Sequence, residues 1–148
     1  MNIEDLIDDF SFLDNWEDKY KYLIELGNQL PHFVDSQKIE QWKISGCQSQ
    51  VWIIPHFSSS LLSFQGDSDA IIVRGIIAVV LEIFNDKSAQ EILDIDVEEI
   101  FDRMGLREHI TPNRRSGMLA MVDKIKFYAR QSLGEKNEYS RVSGQEDL

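Results

Sequence analysis

One cysteine, three histidines and three prolines occur in 148 residues, and each shortage removes a class of protein from consideration. With Cys47 alone no intrachain disulfide can form, so a disulfide-stapled secreted fold is excluded and a reducing compartment fits better. His32, His56, His109 and scattered carboxylates show no metal-ligand spacing, and neither a metal nor a resident cofactor is expected. Bases are scarce: 15 Lys and Arg against 26 Asp and Glu leave a formal charge of −11. That charge repels phosphate backbones, and with no basic aromatic stripe to offset it nucleic-acid binding is not expected. No apolar run reaches the roughly 18 residues that a membrane span requires. Met1 to Phe10 carries acids where a signal peptide carries lysines and apolar residues, so the expected location is the cytoplasm.

What is present suffices for one domain. At 43% apolar residues, the chain can close one core and not two. Trp16, Tyr20, Leu23, Ile24, Gly27 and Leu30 recur at helical spacing behind Asp14 or Asn15, which predicts a helix over 15–30 stopped by Pro31. A shorter helix is expected over Ile3 to Phe10, and a turn of helix between Ser36 and Trp42. Val51 to Ile54 and Leu61 to Phe64 read as the strands of a hairpin, with Pro55 to Ser60 as turn material and Lys43 to Ser45 as a third, flanking strand.

Gly66 to Asp69 reads as a turn and a helix cap, before a stretch, Ala70 to Phe84, in which Arg74 and Glu82 are the only charges. That stretch predicts a helix buried nearly all round. Ser88 and Glu91 have capping-box spacing, Asp96 can start a further helix that Gly105 ends, and Thr111-Pro112 can start another running to about Ser132. The expectation is an α+β domain over 1–132, a small antiparallel sheet of about three strands packed by several helices. A polar, flexible tail is expected at 133–148. Residues 1–30 hold eight acids and 101–130 seven bases, an asymmetry that suits a docking face or, more blandly, solvated helix surfaces.

Cys47 is the candidate for chemistry. It sits in Ser45-Gly46-Cys47-Gln48-Ser49-Gln50, a polar segment unlike the apolar surroundings of a packing cysteine, and Gly46 lets the backbone bend beside it. An inert half-buried thiol, a Cys–His hydrolase drawing on one of the three histidines, and a thiol that accepts and passes on sulfur all fit this pattern. Arg114 and Arg115, at a helix start, are candidates for a cationic neighbour. Asp69 reads first as a helix cap, and alternatively as a hydrogen-bonding support for the Cys47 loop.

The octet Ser45-Gly46-Cys47-Gln48-Ser49-Gln50-Val51-Trp52 resembles the reactive-cysteine segment of the SufE family of cysteine desulfuration proteins. Trp16-Glu17-Asp18-Lys19-Tyr20, Glu25-Leu26-Gly27, Leu30-Pro31, Gly66-Asp67-Ser68-Asp69-Ala70 and Thr111-Pro112-Asn113-Arg114 extend the resemblance in order over roughly 14–130. Pro55 to Ser60 and the tail after Ser132 depart from it. The resemblance implies an α+β fold and a sulfur acceptor that is not a stand-alone catalyst. Such a protein takes persulfide sulfur from a pyridoxal-phosphate-dependent, SufS-like cysteine desulfurase, stimulates it, and delivers the sulfur to a SufB or SufBCD-like iron-sulfur scaffold. It further implies that Cys47 is the acceptor, that Asp69 helps hold its loop and that Arg114 lies near the site, to which the loop reading adds Gly46 as support. A homodimer is left open.

Overall fold

The computed structural model describes the backbone of residues 2–146 and the side chains of 2–134. Local capping starts most helices where the sequence indicates. Asn2 accepts the Asp5 backbone N–H at 2.9 Å to open α1 (Ile3–Ser11), and Asn15 accepts that of Asp18 at 2.9 Å to open α2 (Trp16–Asn28). Two 3-10 turns, Asp35–Gln37 and Glu40–Trp42, occupy the weakly helical stretch before the sheet. After the sheet come α3 (Ile71–Phe84), α4 (Ala89–Asp94), α5 (Val97–Arg103), a 3-10 turn at Arg107–His109, and α6 (Pro112–Glu146). The Ser88–Glu91 capping box and the Asp96 cap are both formed, and Gly105 turns the chain after α5 with φ +71. Among the described residues no helix is long and apolar enough to cross a membrane.

The sheet is an antiparallel hairpin, β1 (Val51–Ser58) against β2 (Leu61–Ser68), in register from Val51↔Ser68 to Ser58↔Leu61. The fold is therefore α+β, with the expected sheet reduced to two strands. In place of the third strand there is one bridge, Lys43↔Trp52, because the chain turns away at Gly46 with φ +91. The strands, conversely, run past Pro55. Phe64, opposite Pro55, donates its N–H outward to the Asn85 side chain at 2.7 Å. The pair is thus non-hydrogen-bonded, so the proline's missing N–H removes no rung of the ladder. Gly66 and Asp67, expected in a turn, are strand residues. A Cβ on Gly66 would lie 2.7 Å from Ile77 Cγ2 and 2.9 Å from Ile53 Cδ1, which marks where α3 presses on the sheet.

The core lies between α3 and its covers. Ile76, Ile77, Val79, Val80, Ile83 and Phe84 are buried on several sides of α3, packed by α2, β2 and α6. Two glycines let α2 and α3 cross at backbone contact: a Cβ on Gly27 would come 2.6 Å from the Gly75 nitrogen, and one on Gly75 would fall on the Leu23 carbonyl. The closeness of that crossing delivers Arg74 into a fully enclosed position. Its guanidinium pairs with Asp67 and donates to the carbonyls of Gly27 at 2.9 Å and Leu30 at 2.6 Å. Both charges are buried, Asp67 at 1% and Arg74 at 5% exposure. Asp67 also accepts the backbone N–H groups of Phe33 and Ser68, each at 2.8 Å, so its lone pairs are met on several sides.

The backbone of α6 is continuous through residue 132 and on to Glu146. The helix thus runs on past the end expected near Ser132, while the side chains beyond Gly134, and residues 147 and 148 altogether, lie outside the described residues.

Candidate functional site

Cys47 stands on a loop, residues 45–50, that is clipped at its base. The Ile44 N–H donates to the Val51 carbonyl at 2.9 Å, and the buried Ile44 side chain roots the entering segment. At the other end Asp69 Oδ1 accepts the Gln50 N–H at 3.0 Å, while the Asp69 N–H donates to the Gln50 carbonyl at 3.3 Å. Asp69 therefore does not cap α3, which has Ala70 at its cap position and no side-chain cap. The capping reading fails because β2 continues to Ser68 and brings Asp69 beside β1 before the helix begins.

Between the two clips Gly46, in the left-handed region at φ +91, reverses the loop so that Cys47 turns onto α6. The thiol is half-buried. Its Sγ–H donates to the Gly117 carbonyl of α6 at 3.6 Å. Beside it is a cavity of about 150 Å³ whose lining includes Val51, Ile72, Ile76, Gly117, Met121 and Arg114. The floor is aliphatic and the mouth polar. Burial pushes the Cys47 thiol above its ordinary pKa, because the charged thiolate loses more hydration than the neutral thiol.

Of the residues singled out from sequence, Cys47, Gly46, Asp69 and Arg114 meet at or around this loop. Arg115 does not: it pairs with Glu98, with Nε to Oε1 at 3.0 Å. The three histidines are engaged elsewhere. His109 stacks on Trp16 with centroids 4.9 Å apart, His56 bonds Gln65 at 2.9 Å, and His32 Nδ1 lies 3.2 Å from Arg74. None lines the cavity beside Cys47, so a Cys–His dyad has no geometric basis here. Gly117 was not singled out. Its one sequence signal was a glycine on the apolar side of a helix, beside Met118 and Met121, where alanine would be the better helix former.

Alkylation of Cys47 in the free protein should keep accelerating through pH 9, since the rate tracks the thiolate fraction and the thiol titrates high. A rate that levels off below pH 8 would instead mean a thiolate already stabilised at rest by Arg114.

The family model and the curated relatives agree on one family. The SufE family model, described as an Fe-S metabolism associated domain, matches residues 4–129. An uncharacterised SufE-like protein of Rhizobium meliloti is 45% identical over 136 residues, covering 89% of this chain and 97% of its own. A second, from Rhizobium etli, is 44% identical over 133 residues, covering 87% of this chain and 90% of its own. The fold is similar to the solution structure of a hypothetical protein from Thermus thermophilus, with TM-score 0.72 at 18% identity, covering 89% of this chain and 96% of that one.

Proposed function

The chain belongs to the SufE family of domains associated with Fe-S metabolism, and from that premise we propose that Cys47 accepts sulfur from a cysteine desulfurase and carries it to an iron-sulfur scaffold. The observation that supports this reading most is the thiol itself: the single cysteine of the chain, on a clipped polar loop, turned over a small aliphatic cavity.

The exchange balances without an oxidant. The Cys47 thiolate attacks the outer sulfur of the desulfurase persulfide, the inner S–S bond breaks, and the desulfurase thiolate leaves with the electron pair. One sulfane sulfur is then on Cys47 and the desulfurase is ready for another turnover, which is how removal of product stimulates it. Attack by a scaffold thiolate on the outer sulfur repeats the same step. The pyridoxal phosphate belongs to the desulfurase, and the carrier works with no cofactor of its own in the reducing cytoplasm.

Each residue around the loop has a part in this reading. In the resting protein the thiol faces Gly117 and is protonated, so it is protected. For attack it must swing outward, which Gly46 permits and the Asp69 clip limits to the loop tip. Arg114, at the cavity mouth, then meets the thiolate as it forms.

The test is a mass measurement. Incubation with a desulfurase, its pyridoxal phosphate and cysteine should add about 32 Da to the chain, removable by reductant and mapping to the Cys47 peptide. An unmodified protein after full desulfurase turnover would overturn the proposal.

A further inference from the structure

We propose that the cavity between α2, β2 and the C-terminal half of α3 is a binding site for a small organic cation, an ammonium group on a short apolar body, with Glu82 as its counter-charge. The site is separate from Cys47, because this cavity shares no lining residue with the one beside the thiol. Its volume is about 400 Å³ against about 150 Å³ there, which falls in the range of small-molecule sites. Leu26, Leu30, Phe33, Phe64 and Leu81 supply apolar walls. Among the described residues no lysine or arginine lines it, and Glu82 is its one carboxylate.

Glu82 is unusual for its helix. Of the two charges in α3, Arg74 is matched by Asp67 and by the carbonyls of Gly27 and Leu30. Glu82 is partly buried and makes no hydrogen bond or ion pair among the described residues. Part of its hydration is lost on folding, and a donor that brings positive charge restores it best.

The other side-chain acceptors around the cavity are already taken. Gln37 Oε1 accepts the Val34 N–H at 3.0 Å, and Asn85 Oδ1 accepts the Phe64 N–H at 2.7 Å. Gln65 Oε1 is bonded to His56, and His32 Nδ1 faces the Arg74 guanidinium, which can only donate. Gln29 is exposed at the rim. The carboxylate is thus the acceptor left to a ligand inside the cavity. It repels anions, and the apolar walls take an alkyl body.

Hexylamine, hexanol and hexanoate are near-equal in length and differ in the charge at one end. Each is titrated into the isotope-labelled full chain, and the amide signals of Gln29, Leu30, His32, Gln65 and Gly66 report on this cavity. Hexylamine, protonated at neutral pH, should bind about tenfold more tightly than hexanol, with hexanoate weakest and the amides of Gly46 to Ser49 unmoved. Glu82→Gln, which keeps the side chain's size, should bring hexylamine down to the level of hexanol. Ala78→Leu, which puts a larger side chain into the lining, should weaken both.

Hexanol matching hexylamine in wild type, a preference for the amine that survives Glu82→Gln, or shifts confined to other residues would overturn the assignment. Should a variant fail to fold, the three probes on wild type decide alone. The peptide Gly-Gly-Lys-Gly-Gly carries the same group on a chain and should bind more weakly than hexylamine; tighter binding would overturn the small-molecule site in favour of a partner's lysine. Sulfur transfer enters none of these measurements, so the carrier reading and this one fail separately.

Discussion

Cys47→Ser should take up no sulfur, and a desulfurase assayed with it should run no faster than the desulfurase alone. The substitution is close to isosteric, and the serine hydroxyl can still donate to the Gly117 carbonyl that the thiol reaches at 3.6 Å. At a half-buried loop position, the change in unfolding free energy should stay within about 1 kcal/mol. Chemistry is lost outright, because a hydroxyl with its far higher pKa does not attack sulfur and the chain has no second thiol to stand in. Docking should survive. The variant should compete with wild type for the desulfurase and so inhibit stimulation in a mixture. Full stimulation by Cys47→Ser would mean that the protein acts as an adaptor through its charged faces, with the thiol incidental.

Arg74→Met should lower stability by about 3–5 kcal/mol, a large share of the roughly 5–15 kcal/mol that holds a domain of this size folded. Methionine fills much of the arginine stem's volume, so the loss is electrostatic. Asp67, at 1% exposure, keeps the N–H groups of Phe33 and Ser68 but loses its counter-charge, while the Leu30 carbonyl loses its arginine donor and the Gly27 carbonyl keeps only the Leu30 N–H. Adding Asp67→Asn removes the uncompensated charge but turns an amide nitrogen toward either the Phe33 or the Ser68 N–H, so it should recover only part of the loss. Urea unfolding of the two variants reads this directly. A single variant as stable as wild type, or a double variant less stable than the single, would show that the ion pair does not hold the fold as described. Since Asp67 stands two residues before Asp69, the single variant should also loosen the clip at Gln50.

The parts of this structure that were legible in the sequence are those decided within a few residues. Asn15, the Ser88–Glu91 box, Asp96, Gly105 and Pro112 act on the turn that contains them, and each marks a helix boundary where the sequence places it. The polar surroundings of Cys47 were equally local. What sequence reading missed depends on partners far along the chain. Asp67 looks like a turn residue until Arg74 and Phe33 enclose it, and between the two readings of Asp69, cap or support of the Cys47 loop, only the arrival of Gln50, 19 residues earlier, decides. Gly117 faces a cysteine 70 residues away, and only the folded chain brings the two together. The hairpin runs longer than its sequence suggests, because Pro55 and the serines after it look like a turn and the pairing parity that admits a proline cannot be read from one strand.

That parity also bears on how the molecules behave in a crowd. Along β1 the odd-numbered residues direct their backbone groups away from β2, as the Val51 carbonyl does toward Ile44. A neighbouring chain seeking to add a strand there would look for donors at residues 53, 55 and 57, and the middle one is missing. With Ile44 already occupying one end of that edge, the proline interrupts the remaining template for intermolecular β-pairing. The hairpin that carries the reactive loop is thereby kept from seeding aggregation.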